Sequence, residues 1–78
     1  MLARMIERRV VLNGQLADAK RAVQDSEERI QHHNQSIVQA LRAGRDTLIA
    51  QELLAMAIAT HATHVATVDR LKMLISRL

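Results

Sequence analysis

Two of the four histidines have a spacing that suits metal binding. His61 and His64 are three residues apart, so on a helix they project from one face and could chelate zinc together. The spacing lacks any flanking metal-site motif, and the same positions also suit histidines at the edge of a helix seam that hydrogen-bond to facing side chains. The second interpretation is favoured, and we expect no metal and no cofactor.

The facing residues follow from the register of a helical hairpin. If the chain turns near residues 44 and 45, His61 lies across from Glu28 and Arg29. In the same register, His64 lies across from Asp25 and Ser26. A cluster of two histidines and two carboxylates is therefore conceivable, and its existence depends entirely on that register.

Other catalytic chemistry has little support in the sequence. There is no cysteine, so a disulfide framework and a thiolate metal site are excluded. No serine, threonine or lysine stands in a nucleophile motif, and there is no glycine-rich phosphate loop. Because a two-helix chain also offers little concavity for a substrate, the sequence predicts a protein that is not an enzyme.

Composition predicts an all-α fold. Hydrophobic residues make up 49% of the 78 residues, but Phe, Tyr and Trp are absent, as is proline. Aromatic side chains anchor most compact cores, so a core of aliphatic residues favours extended packing of helix on helix. We expect a single helical-hairpin domain over residues 1–78, an antiparallel two-helix coiled coil that dimerisation or a partner completes to a bundle.

The first helix is predicted over about residues 2–43. A stripe with alternating spacings of three and four runs through Leu2, Met5, Arg9, Leu12, Leu16, Ala19, Val23, Ser26, Ile30, His33, Ile37 and Ala40. Its polar members Arg9, Ser26 and His33 could fix register or partner choice. Asn13-Gly14 is a turn signal, but the stripe keeps its phase across it, which favours one continuous helix with a kink as the alternative.

The turn is predicted at residues 44–46. Gly44 suits the left-handed conformation that ends many helices, and Asp46 suits the cap of a new helix. Arg42 would place a cation at the negative end of the first helix dipole. So short a connection makes the two helices antiparallel neighbours.

The second helix, over about residues 47–78, has more apolar surface than one neighbour can cover. A stripe through Leu54, Ile58, His61, Val65, Val68, Leu71, Ile75 and Leu78 is expected to face the first helix. A second apolar set lies partly outside that stripe, and we predict it to be a protein interface: Leu48, Ile49, Leu53, Met56, Met73 and Leu74.

The partner of this interface is expected to be a second copy of the chain, giving a homodimeric four-helix bundle, or another helical protein. The net charge of +3 is mild and mixed along the chain, so nucleic acid is an unlikely partner. The longest uncharged stretch, residues 53–68, is shorter than the roughly 20 apolar residues of a membrane span. The N-terminus lacks the apolar region of a signal peptide, and we expect a cytoplasmic protein.

Two family resemblances arise at the turn, in the segment from Ala43 to Leu48. A helix, a Gly-x-Asp turn and a second helix resemble the small co-chaperones of type III secretion needle subunits. That resemblance implies a helical hairpin that binds a larger helical-repeat chaperone, although the second helix lacks the aromatic residues expected in that family. The longer segment from Ala40 to Ala50 is similar to the hairpin turn of the phage-shock protein A coiled coil, a much longer family.

Overall fold

A computed structural model describes residues 2–78, which form two helices. Helix α1 spans Leu2–Arg42 and helix α2 spans Leu48–Ser76. They pack side by side in a rod of 64 × 14 × 14 Å. Residues 2–78 contain no strand and 91% of them are helical, so the predicted all-α helical hairpin is confirmed.

Helix α1 runs without a break through Asn13 and Gly14. The apolar stripe keeps α1 in one phase on both sides of the glycine, so packing against α2 continues beyond it. A Cβ atom added at Gly14 would meet no other atom within 4 Å. The helix over Leu2–Arg42 is thus unbroken at this site, as predicted.

The end of α1 is closed by a left-handed glycine. Gly44 has a φ of 68°, and its N–H donates to the carbonyl of Leu41 at 3.1 Å. The N–H of Arg45 donates to the carbonyl of Ala40 at 2.9 Å. These two bonds form a Schellman motif, which satisfies the last carbonyls of α1 and reverses the chain at residues 43–44.

Helix α2 begins one residue later than its predicted start. The Asp46 carboxylate accepts a hydrogen bond from the N–H of Leu48 at 3.0 Å, which satisfies one free N–H of the first turn. The N-cap residue is Thr47, however, and it makes no side-chain capping bond, so the predicted cap at Asp46 is displaced by one residue. Thr47 is buried, and its hydroxyl accepts a bond from the side-chain amide of Gln51 at 2.9 Å. Thr47 therefore makes the first packing contact after the turn.

The core is thin and lies in the half of the rod remote from the turn. Ala19, Val68 and Leu71 are its buried members, and Leu12, Leu16 and Val23 pack around them. No side chain in residues 2–78 is completely enclosed. Two helices alone provide this chain with one narrow seam and no deeper layer.

The seam on α2 differs from the predicted stripe at two positions. Ile58 is 51% exposed and Val65 is 37% exposed, whereas Ala57 and His64 are half-buried on the side that faces α1. The seam keeps strict alternate spacings of three and four, and this phase selects residues 54, 57, 61, 64 and 68 regardless of their size. The expectation that Ile58 packs into the seam is wrong, whereas Val65 lies at the seam edge, where it lines a groove with Val23 of α1.

Candidate functional site

A polar layer interrupts the seam where Ser26 meets His61. The Ser26 Oγ atom lies 2.6 Å from His61 Nδ1 and 2.8 Å from the carbonyl oxygen of Val23. The Val23 carbonyl can only accept, so the single proton of the Ser26 hydroxyl satisfies that contact. Both contacts are then satisfied when His61 Nδ1 carries a proton and donates it to Ser26 Oγ.

This contact corrects the predicted register by about one helical turn. The sequence sets His64 across from Ser26, but the structure sets His61 there. The physical reason is the position of the reversal, which is at residues 43–44, so that residues 45–47 already belong to the returning side. Within residues 2–78, no three His, Asp or Glu side chains come close enough together to hold a metal ion.

The other polar seam residues have different surroundings. His33 is half-buried and lines a groove beside Ser26 and Arg29, while Arg9 is exposed near the free end of α1. The His32 and His33 rings are 6.1 Å apart between centroids and tilted by 60°. Ser26 and His33 therefore sit in the seam as predicted, and Arg9 lies in a part of α1 where the seam is open.

The six residues predicted to form an interface are all exposed, with exposed fractions between 41% and 74%. They do not share one face. Ile49, Leu53 and Met56 follow each other at spacings of four and three, so they form one continuous strip. Leu48 is about 140° around the helix from Leu53 at 100° per residue, and Leu74 is about 31 Å farther along the axis.

The strip formed by Ile49, Leu53 and Met56, here called the docking strip, borders a groove between the helices. The groove has a volume of about 180 Å³, and its walls are Leu53, Met56, Ala57 and Thr60 of α2 with Ser26, Arg29 and His33 of α1. Small residues on α2 open the space, and Arg29 gives one edge a positive charge. The sequence pattern predicts Leu53 and Met56, the apolar wall of the groove on α2, but does not predict the wall that α1 provides.

The opposite side of the hairpin carries further exposed apolar residues, which the sequence reasoning did not assign to an interface. They are Ile6, Val10, Val38, Leu41, Ile58 and Val65, with exposed fractions between 37% and 65%. Repeats of seven residues could have revealed them, since Ile6 and Leu41 are five heptads apart and Ile58 and Val65 are one heptad apart. We call this surface the second face.

Ion pairing within the hairpin is sparse. In residues 2–78 the only salt bridge joins Arg21 to Asp18 at 3.9 Å, and both side chains are more than two-thirds exposed. An exposed pair of this kind contributes little to stability. The remaining charges of these residues, including Lys20 and Glu27 on the second face, are not used to hold the two helices together.

Comparison with known proteins leaves the function to be argued from the hairpin itself. No family model, no curated protein and no solved structure matches this chain. Neither helix in residues 2–78 is long and apolar enough to cross a membrane.

Proposed function

We propose that this chain is a non-catalytic helical interaction protein, a small chaperone or adaptor that packs α2 against a helix of a partner protein. The observation that carries the proposal is the docking strip of Ile49, Leu53 and Met56, which lies exposed beside a groove. Apolar strips of this spacing on a surface helix are the usual means by which one helix binds another.

The accessible surface supports a missing partner. The chain exposes 6222 Å², whereas a compact monomer of the same mass is expected to expose about 4,800 Å². Its radius of gyration is 18.1 Å, against about 11.5 Å for a compact domain of this length. The excess of about 1,400 Å² is large enough for specific interfaces, which bury about 800 Å² on each partner.

The chemistry of the groove indicates what a partner helix would present. Ala57 and Thr60 leave room for a large side chain from the partner, and Met56 is flexible enough to fit against different shapes. Arg29 at the groove edge suits an acidic residue that flanks this side chain. The partner segment would therefore be an amphipathic helix with an aliphatic or aromatic anchor and an acidic neighbour.

The resemblance to needle-subunit co-chaperones supports the small-chaperone form of this proposal. In that form the partner helix would belong to a helical-repeat chaperone. The Gly44 and Asp46 turn brings the docking strip close to one end of the rod, where a larger protein can reach it without contacting the rest of the hairpin.

Site-specific photocrosslinking in the cells that make this chain tests the proposal. A photoreactive residue replaces Met56, and in a control chain it replaces Glu28, an exposed residue of α1 outside the groove. We expect the Met56 probe to form an adduct with one other helical protein and the Glu28 probe to form none with it. Adducts that contain only this chain, or no adduct at all, would overturn the proposal.

A further inference from the structure

The second face contains a row of six α1 residues in which positions at equal distances from the centre are either alike or complementary. At intervals of seven the row is Ile6, Asn13, Lys20, Glu27, Asn34 and Leu41, and all six are exposed. The ends are aliphatic, the next pair are asparagines, and the central pair carry opposite charges. The centre of the row lies between residues 23 and 24.

A row on α2 has its centre at the same level of the rod. Gln51, Ile58, Val65 and Lys72 are also seven residues apart and exposed, with their centre between residues 61 and 62. His61 contacts Ser26, so this centre lies within about 4 Å, along the axis, of the centre of the α1 row at 1.5 Å per residue. One two-fold axis perpendicular to the rod can therefore serve both rows.

We propose that the second face binds a second copy of this chain in an antiparallel, two-fold symmetric dimer. In this arrangement α1 lies along the partner's α1, and Ile6 packs on the partner's Leu41. Lys20 faces the partner's Glu27, and this ion pair occurs twice because a two-fold interface repeats every contact. The dimer does not depend on the docking strip, which stays open on the other side.

Charge complementarity and the area of the second face both favour a second copy of this chain as the molecule that covers it. Lys20 and Glu27 make no ion pair within residues 2–78, and the antiparallel arrangement gives each of them an opposite charge. In the same arrangement Val10 faces the partner's Val38 and Ile58 faces the partner's Val65, so apolar side chains contact apolar side chains across the interface. One side of a rod that is 64 Å long and 14 Å wide has a projected area of about 900 Å², which is enough for the roughly 800 Å² that each partner buries in an interface of standard size.

Charge exchange tests the pairing by sedimentation equilibrium of the full chain. Lys20→Glu and Glu27→Lys each place like charges opposite one another at two sites, so each should raise the dimer dissociation constant about 10- to 30-fold at low salt. The double variant K20E/E27K restores both attractions and should return to within about threefold of the wild type. Equal dissociation constants for all four proteins would overturn this pairing.

Disulfide trapping tests the geometry independently, because the chain has no cysteine of its own. Residues 6 and 41 of one α1 are about 50 Å apart, so they cannot bond within a chain. Under oxidation, a mixture of Ile6→Cys and Leu41→Cys chains should give a crosslinked dimer, whereas each variant alone should give little. The inference is overturned if the chain is a monomer at all concentrations, or if Ile6→Cys alone forms as much disulfide-linked dimer as the mixture does. Neither result affects the Met56 photocrosslinking test of the proposed function.

Discussion

Ser26 and His61 are 35 positions apart in the chain, and their side chains are joined at 2.6 Å. In residues 2–78 this is the only side-chain hydrogen bond between the two helices. A slip of α2 by one turn would set either Ala57 or His64 across from Ser26, and with Ala57 the buried hydroxyl would have no imidazole partner. The contact therefore disfavours a slip towards Ala57, in a seam of small aliphatic residues that defines the register only loosely.

Ser26→Ala should lower the free energy of unfolding by about 1–2 kcal/mol, because His61 Nδ1–H then loses its acceptor in a partly buried site. Urea denaturation at fixed protein concentration measures the change. Ser36→Ala is the control, since Ser36 is half-buried on α1 and makes no side-chain bond to α2. Equal losses in the two variants would show that the hydrogen bond contributes nothing specific.

The tautomer of His61 should be detectable by NMR. Since the Ser26 proton is directed to the Val23 carbonyl, the neutral imidazole of His61 should carry its proton on Nδ1. Long-range ¹⁵N–¹H correlation spectra distinguish the two ring nitrogens. A neutral His61 protonated on Nε2 would mean that Ser26 donates to the ring instead.

The two glycines should respond to alanine with opposite signs. Gly14→Ala should stabilise the hairpin by about 1 kcal/mol, because the site is helical and a Cβ meets no atom there. Gly44→Ala should destabilise it by about 1 kcal/mol or more, because φ is 68°. Thermal unfolding followed by circular dichroism measures both, and a shift of the same sign in the two variants would contradict the described turn.

Substitution by glutamate at Leu71 and at Ile58 should distinguish a buried seam position from an outer-surface position. Leu71 is 6% exposed, so Leu71→Glu buries a charge and should cost at least about 2 kcal/mol more than Ile58→Glu, at a site that is 51% exposed. Far-UV circular dichroism in a urea series compares the two at a protein concentration at which the chain is monomeric. A larger loss of stability in Ile58→Glu than in Leu71→Glu would show that Ile58 lies in the seam, as the apolar pattern predicts.

The sequence predicted the fold well because the signals that define it are local. The α1 stripe from Leu12 onward and the left-handed Gly44 each depend on neighbouring residues only, and both are found. The α2 seam is only partly predictable, because the large residues Ile58 and Val65 fit an apolar stripe better than the smaller or polar residues that the heptad phase selects. Long runs of apolar residues on α2 leave that phase ambiguous.

The candidate site was less predictable, because it depends on how two distant segments meet. The register follows from the backbone path through residues 43–47, and composition alone does not give that path. The predicted interface residues share two properties, which are an apolar side chain and a position outside the stripe. Leu48 and Met73 have both properties as much as Leu53 does, so these properties alone do not define one surface. Only their positions around the helix show that Ile49, Leu53 and Met56 form one strip beside a groove.

The central claim is that the docking strip binds another protein. The most direct test measures how tightly the protein that is crosslinked to Met56 binds to variants of this chain. Leu53→Glu/Met56→Glu adds two charges inside the strip, and Ala59→Glu/Ala66→Glu adds two charges at exposed α2 positions outside the groove. Isothermal titration calorimetry should show a loss of about 100-fold or more for the first pair and less than about threefold for the second. Equal affinities for the two double variants would contradict the claim.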